Sequence, residues 1–389
     1  MHPWTSLPVV GMVGAGQLAR MTHQAAISLG QSLRVLAAAA DDAAALVAHD
    51  VVVGDHTRYA DLAAFAAGCD VLTFDHEHVP AEHLRALVAA GHTVHPAPHA
   101  LRHAQDKRVM RERLSDLGLP VPRWAPVADA GEVAAFAEKA GWPVVAKAVR
   151  GGYDGRGVWV LGGADEARPV LAAGVPLLVE ELVPWRRELA AVVARSPYGQ
   201  GAAWPVVETV QRDGICVEVL APAPGLDPEA GEHAQRLALT VAEALDVVGV
   251  LAVELFETEA GLLVNELAMR PHNSGHWTIE GSRTSQFEQH LRAVLDYPLG
   301  VTTMTAPAVA MANVLAAGEP VPQGRPGAVG LDERVHHCAA RWPAVKVHLY
   351  GKPPRPGRKI GHVTALGEDP DAVRASARAA AAYLAGEPG

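Results

Sequence analysis

Apolar positions along this chain change rhythm repeatedly, and the changes mark its elements. Residues 7–13 form a short apolar run closed by Gly14-Ala15-Gly16-Gln17-Leu18-Ala19, after which a helical pattern continues to Ser28 and stops before Gly30. A second apolar run at 33–40 ends in Asp41-Asp42. Strand, glycine turn, helix and strand in this order predict a βαβ unit, and such units build parallel sheets. Short runs at 50–53 and 70–74 read as further strands, with Ala-rich helices at 61–67 and 81–90.

A charged helical stretch at 100–117 then leads into Leu119-Pro120-Val121-Pro122, a stop signal. Beyond it, apolar runs at 143–148 and 158–161 flank Arg150-Gly151-Gly152-Tyr153-Asp154-Gly155-Arg156-Gly157. This predicts a glycine-rich hairpin, unlike the strand–turn–helix at the start of the chain. Strands follow at 177–182 and 189–195, then a helix at 229–245 and a hairpin over 251–267 that turns at Glu259-Ala260-Gly261. From about residue 300, Pro and Gly become more frequent, with a strand at 345–350 and a packed Ala-rich helix at 371–384. The expected architecture is α/β, with domains at 1–104, 105–299 and 300–389.

Composition narrows the class. The 389 residues suit two or three domains, and 49% apolar with 20% charged residues is a globular balance. Lys and Arg number 33 against 43 Asp and Glu, a formal net charge of −10, which argues against a nonspecific nucleic-acid binder. Three widely spaced cysteines predict no disulfide framework and a reducing compartment. No basic-then-apolar leader and no long uncharged apolar run occur, so a cytoplasmic protein with no membrane partner is expected.

Candidate chemistry falls in two places. Gly14-x-Gly16-x-x-Ala19, with Asp41 and Asp42 at the end of the second strand, fits a dinucleotide fingerprint. The same turn at a helix N-terminus also serves other phosphate-bearing ligands, or is simply a tight turn. In the middle of the chain, Lys147 ends a strand just before the glycine hairpin, whose bare N–H groups and Arg156 suit phosphate oxygens. Glu180-Glu181 closes another strand, where carboxylates can accept ribose hydroxyls or an adenine amino group, and Leu182-Val183 offers backbone to the adenine edge. Glu254 and Glu266 have matching parity about their turn, so they should face each other, and opposed like charges call for a cation between them. Oxygen-only ligands suit Mg²⁺ bridging phosphates.

Glycine hairpin, upstream Lys, strand-end glutamates and a carboxylate hairpin ending Asn265-Glu266, in that order, resemble the ATP-grasp fold over residues 105–292. This implies a Rossmann-like N-terminal domain, a two-lobed ATP-grasp module and a small C-terminal α+β domain. Two further stretches, Met269-Arg270-Pro271-His272-Asn273-Ser274-Gly275-His276-Trp277-Thr278 and Arg355-Pro356-Gly357-Arg358-Lys359-Ile360-Gly361-His362, narrow the match. With the two glycine motifs, the chain resembles the ATP-dependent carboxyaminoimidazole ribonucleotide synthetases of purine biosynthesis. The resemblance implies carboxylation of 5-aminoimidazole ribonucleotide by bicarbonate, with ATP, Mg²⁺ or Mn²⁺, and a homodimer.

It also implies roles. Lys107, Lys147, Gly151, Gly152, Tyr153, Asp154, Gly155, Arg156, Gly157, Glu180, Glu181, Leu182, Val183, Glu188, Gln211, Asn265 and Glu266 match ATP-contacting positions, and Glu254 and Glu266 the metal ligands. Gln17, Leu18, Glu77, Tyr153, Asp154, Arg156, Asn273, Ser274, His276, Lys352, Arg355, Arg358 and Lys359 match the ribonucleotide and bicarbonate sites. Lys147, Arg156, Arg270, His272 and Asn273 are the expected catalytic groups. Lys107 and Gln211 stand where the family usually carries Arg and, in some members, His, and Asp75-His76-Glu77-His78 replaces a more usual run of glutamates and asparagine. Competing readings are a formate-using purine ligase, such as a glycinamide ribonucleotide transformylase, and an NAD(P)-dependent oxidoreductase resting on the first glycine motif. No acidic residue lies between Glu333 and Glu368, whereas Arg334, Arg341, Lys346, Lys352, Arg355, Arg358 and Lys359 all do. That basic segment is expected to fold back toward the N-terminal glycine turn and hold an anionic substrate.

Overall fold

The structure, a computed structural model, describes residues 1–152, 155–318 and 329–387. Its first sheet is parallel, in the order Asp50–Val53, Ser32–Ala37, Val9–Val13, Val71–Phe74. Helix Gln17–Ser28 follows the glycine turn, as the βαβ pattern requires. The apolar run Val9–Val13 is buried along its whole length, which is why it reads as continuous rather than alternating.

The charged stretch expected as one helix is two, Pro98–Gln105 and Lys107–Asp116. Asp106 separates them in an extended conformation, and its carboxylate accepts the Val109 N–H at 3.0 Å. An Asp at this position satisfies an otherwise orphaned helical donor and so starts a new helix. The break puts Lys107 and Arg111 one turn apart on the same face.

A small antiparallel sheet carries the glycine hairpin, in the order Trp124–Val127, Leu177–Glu181, Val144–Ala148, Val158–Leu161. Helices Ala130–Ala140 and Ala164–Ala172 pack on it, burying Val133, Ala137 and Ala167 against Val144, Ala146 and Val179. A nine-stranded antiparallel sheet forms the body, in the order Gly261–Ala268, Gly249–Thr258, Arg187–Arg195, Val207–Arg212, Ile215–Ala221, Ala308–Leu315, Lys359–Gly367, Lys346–Leu349, with Gly201–Ala203 paired to Arg187–Arg195. Helix Pro228–Ala244 buries Leu237 and Val241 on this sheet. The C-terminal strands therefore continue the central sheet, through Glu218–Ala312 pairing and its neighbours. Ala308–Leu315, an apolar run buried at all but its last residue, is a strand beyond those expected from the sequence.

Helix Gln286–Val294 joins the parts. Leu291 and Val294 pack into the core of the parallel sheet, while Phe287 meets Leu18, Met21 and Tyr350. The Ser285 hydroxyl caps it by accepting the Glu288 N–H at 3.2 Å. Phe287 is 1% exposed. Phe287→Ala should cost about 3–5 kcal/mol, from lost burial plus the cavity left behind. Urea denaturation should show a clearly lowered midpoint, and an unchanged midpoint would contradict this packing role.

Candidate active site

One cleft of about 1380 Å³ lies between the small sheet, the large sheet and the glycine turn of the parallel sheet. Its walls include Gln17, Leu18, Glu77, Lys107, Lys147, Gly151, Gly152, Gly155, Arg156, Glu180, Glu181, Leu182, Val183, Glu188, Gln211, Glu254, Asn265, Glu266, Arg270, His272, Asn273, His276 and Lys359. Most residues singled out from the sequence thus meet here, although they come from positions more than 340 apart in the chain. Lys352 stands beside them, its ammonium donating to the Gln17 side-chain oxygen. Gly157 turns the hairpin at φ +73° behind the cleft wall. Ser274 is buried under His272, and Arg355 and Arg358 lie on the turn outside the cleft lining, with Arg358 donating to the Pro353 carbonyl. Tyr153 and Asp154 lie outside the described residues.

The facing carboxylates depend on a bulge. Thr258 pairs with Gly261 across a two-residue turn, a register that alone would set Glu254 opposite Asn265. A register shift after Glu254 leaves Asn265 as the extra residue and pairs Glu254 with Glu266. Burial, then the Glu266 charge, pushes the Glu254 carboxyl up to about 8. Lys107 answers the other charge, its ammonium 2.6 Å from Glu266 Oε1. Two close carboxylates, one of them already drawing a cation, are a donor set suited to a hard divalent ion.

Behind this pair lies a buried lattice centred on Glu180. Glu180 is 2% exposed, and its oxygens receive Arg111 Nε at 2.6 Å and Lys147 Nζ at 2.7 Å. Burial pushes the Glu180 carboxyl up, but the Lys147 and Arg111 charges outweigh it and hold the group below its ordinary range. Glu180 therefore lines the cleft with both carboxylate oxygens already paired to cations. Glu181 is likewise engaged, by Arg123 Nε at 2.6 Å. Arg111, which the sequence reading passed over, also donates to the Val264 and Asn265 carbonyls at 3.1 and 2.7 Å. Lys147 adds a bond to Asn265 Oδ1 at 2.9 Å. The signal available was Arg111's place one helical turn after Lys107.

At the other end, Arg270 Nε pairs with Glu77 Oε2 at 2.8 Å. His272 Nε2 lies 3.3 Å from Glu254 Oε1, while the Ser274 N–H and hydroxyl sit at Nδ1. Burial, then the Arg270 and Lys359 charges, pushes the His272 imidazole down to about 3, so it stays neutral.

The first glycine motif is not a dinucleotide site. The Asp75 carboxylate fills it, accepting the Gly16 N–H at the helix start, and a Cβ at Gly14 would fall 1.9 Å from Asp75 Oδ1. Burial pushes the Asp75 carboxyl up to about 6, moderated by that N–H and by Arg270 and Lys352. Asp42, one of the two acids expected to read a ribose, instead accepts the Ala38 and Ala39 N–H groups. A pyrophosphate would have to displace a carboxylate from the one place the fingerprint offers it. Among the described residues no helix is long and apolar enough to cross a membrane.

Comparison with known proteins follows the same layout. The ribonucleotide synthetase preATP-grasp domain matches residues 7–105, the ATP-grasp domain 112–287, and the phosphoribosylaminoimidazole carboxylase C-terminal domain 309–376. The N5-carboxyaminoimidazole ribonucleotide synthase of Mycobacterium bovis is 62% identical over 382 residues, covering 97% of this chain and 88% of that protein. The Aspergillus clavatus carboxyaminoimidazole ribonucleotide synthase complexed with ATP superposes with a TM-score of 0.88 at 31% identity, covering 97% and 98% of the two chains. The complex of the A. clavatus enzyme with ADP and 5-aminoimidazole ribonucleotide gives 0.87 at 31% identity, with the same coverage. With an Asp-plugged glycine turn, a carboxylate hairpin and a Lys-bearing small sheet around one cleft, and with these matches along its length, the chain belongs to the N5-carboxyaminoimidazole ribonucleotide synthase family.

Proposed function

We infer that the protein is an ATP-dependent ligase that carboxylates the exocyclic amine of 5-aminoimidazole ribonucleotide in purine biosynthesis. Named relatives over nearly the full chain, one of them solved with ADP and that ribonucleotide, support the reading. The observation that carries it is the arrangement of a single cleft. Phosphate-type partners (Lys147, Arg156, the glycine hairpin and the Glu254–Glu266 pair) face a second set (Arg270, His272, Asn273, Lys359) beside the Gln17 turn. Such a cleft suits a reaction that activates one small anion with ATP and passes it to a nearby nucleophile.

Bicarbonate is a poor electrophile. One of its oxygens attacks the γ-phosphorus, ADP leaves, and the carboxyphosphate formed releases phosphate and carbon dioxide, whose carbon the ribonucleotide amine attacks. Phosphoryl transfer needs positioning and charge neutralisation more than a protein nucleophile. Lys147 is held for that work by Glu180 and Asn265, so its ammonium has a fixed place at the cleft wall. Arg270, clamped by Glu77, and the neutral His272 supply donors for the bicarbonate-derived group. Glu254 and Glu266 are the residues to hold Mg²⁺, which when bound neutralises charge on the ATP phosphates. Gln17, Lys352 and Lys359 are the candidates for the ribonucleotide. A homodimer in the cytoplasm completes this reading, on the family resemblance.

The direct test is ADP release with and without 5-aminoimidazole ribonucleotide and bicarbonate. Turnover should need both, and formate should not replace bicarbonate; release indifferent to the ribonucleotide would sink the assignment. Glu266→Ala should lower turnover by about 10³-fold or more while leaving the fold intact. The pH dependence of metal binding has a definite sign. Because the Glu254 carboxyl is pushed up to about 8, by burial and then by Glu266, metal binding must displace a proton at lower pH. Apparent Mg²⁺ affinity at fixed nucleotide should therefore rise with pH through the range in which Glu254 loses its proton, above that of an ordinary carboxylate, and then level off. A flat profile through that range would contradict the assigned ligand.

A further inference from the structure

Helix Gln286–Val294 begins with a side chain to which neither motif nor periodicity drew attention. Gln286 is fully buried, and its amide closes on the segment that carries His272 and His276. Its Oε1 accepts the His272 backbone N–H at 2.8 Å, and its Nε2 donates to the His272 backbone carbonyl at 2.7 Å. A peptide N–H can only donate and a carbonyl can only accept, so the amide has one permitted orientation. The second hydrogen on Nε2 is then directed at His276 Nδ1, 3.0 Å away. That nitrogen must accept, so the ring proton of a neutral His276 resides on Nε2.

The surroundings favour this state. His276 is 1% exposed and lines the cleft floor, with Arg270, His272 and Lys359 close enough to oppose any positive charge on it. Burial is the first cause that pushes its imidazole well below the ordinary range, and the fixed positive charges of Lys359 and Arg270 add to it. The amide itself is fixed from behind. The Gln286 N–H donates to Thr278 Oγ1 at 2.9 Å, and that hydroxyl donates to the Gly275 carbonyl at 2.6 Å. Gly275 is needed for the approach, since a Cβ there would lie 2.3 Å from Gln286 Oε1.

We propose that Gln286 is a positioning residue that holds His276 as the Nε2–H tautomer, making the imidazole a neutral hydrogen-bond donor to an oxygen of the bicarbonate-derived group. The role assigned to that oxygen rests on the carboxylation reading above; the tautomer does not. A neutral donor stabilises an oxyanion without offering it an acidic proton that would quench it. The fixed ring also leaves Nδ1 unable to donate elsewhere, so the direction of the bond is set before substrate arrives.

Long-range ¹H–¹⁵N correlation of the histidine-labelled protein reads the tautomer directly, with the His276 resonance identified by its loss in His276→Gln. The expected pattern is a protonated Nε2 and an unprotonated Nδ1; the reverse pattern would overturn the proposal. Gln286→Glu keeps the shape but, neutral when buried, has one O–H to spend on the His272 carbonyl and no second hydrogen for His276, so it should switch the ring to Nδ1–H and lower kcat/KM for bicarbonate by about tenfold or more, with KM for ATP within about twofold. A rise in KM for ATP as large as the loss in kcat/KM for bicarbonate would mean a purely structural role and overturn it. If Gln286→Glu does not fold, the spectrum of the unsubstituted protein still decides. ADP release from the unsubstituted protein separates the two levels: without a response to ribonucleotide and bicarbonate the carboxylation reading fails, and the spectrum judges Gln286 by itself.

Discussion

Glu180 is a carboxylate with almost no access to water, at the end of a strand in the small sheet, and much of the cleft is arranged around that fact. A buried charge stripped of partners costs several kcal/mol, and removing one member of a buried pair costs about 3–5 kcal/mol. Arg111 and Lys147 both answer it, from a helix and from the neighbouring strand. The same two cations reach across to the large sheet, Arg111 to the carbonyls of Val264 and Asn265, Lys147 to the Asn265 side chain. One lattice therefore satisfies a charge and sets the small sheet against the carboxylate hairpin. The lysine expected to meet phosphate owes its position to that lattice.

The rest of the cleft repeats the device on a smaller scale. The bulge at Asn265 both offers its carbonyl to Arg111 and brings Glu266 opposite Glu254. Lys107 and Arg111, one turn apart on a helix begun by Asp106, serve the two carboxylate groups separately. Asp75 occupies the glycine turn, and Lys352 reaches Gln17 at the start of the same helix. Opposite charges thus mark the junction between the small sheet and the carboxylate hairpin, which is where substrates of several phosphates and carboxylates would need fixed cations.

Much of this was legible in the sequence, for identifiable reasons. Strand–turn–helix against strand–turn–strand separated the two glycine motifs, because the rhythm after the turn changes from 3.6 to 2. The opposition of Glu254 and Glu266 was expected from parity, yet it holds only through a bulge that parity cannot reveal. The cation partners of Glu180 and Glu181 could not be read beforehand because neither Arg111 nor Arg123 is near them in sequence. The dinucleotide fingerprint misled for a similar reason: the carboxylate that plugs it arrives from Asp75, about sixty residues on. Gln286 stayed unread because a buried amide has no periodic or motif signature; only its backbone partners give it meaning.

The most direct measurement of the central claim is a double-mutant cycle on Arg111→Met and Glu180→Gln, read as kcat/KM for ATP. If the two act as one lattice that places Lys147, each single substitution should break it, and the double variant should lose no more than the worse single one. Losses that simply add would contradict it, leaving Arg111 and Glu180 as independent contributors with no shared hold on the cleft.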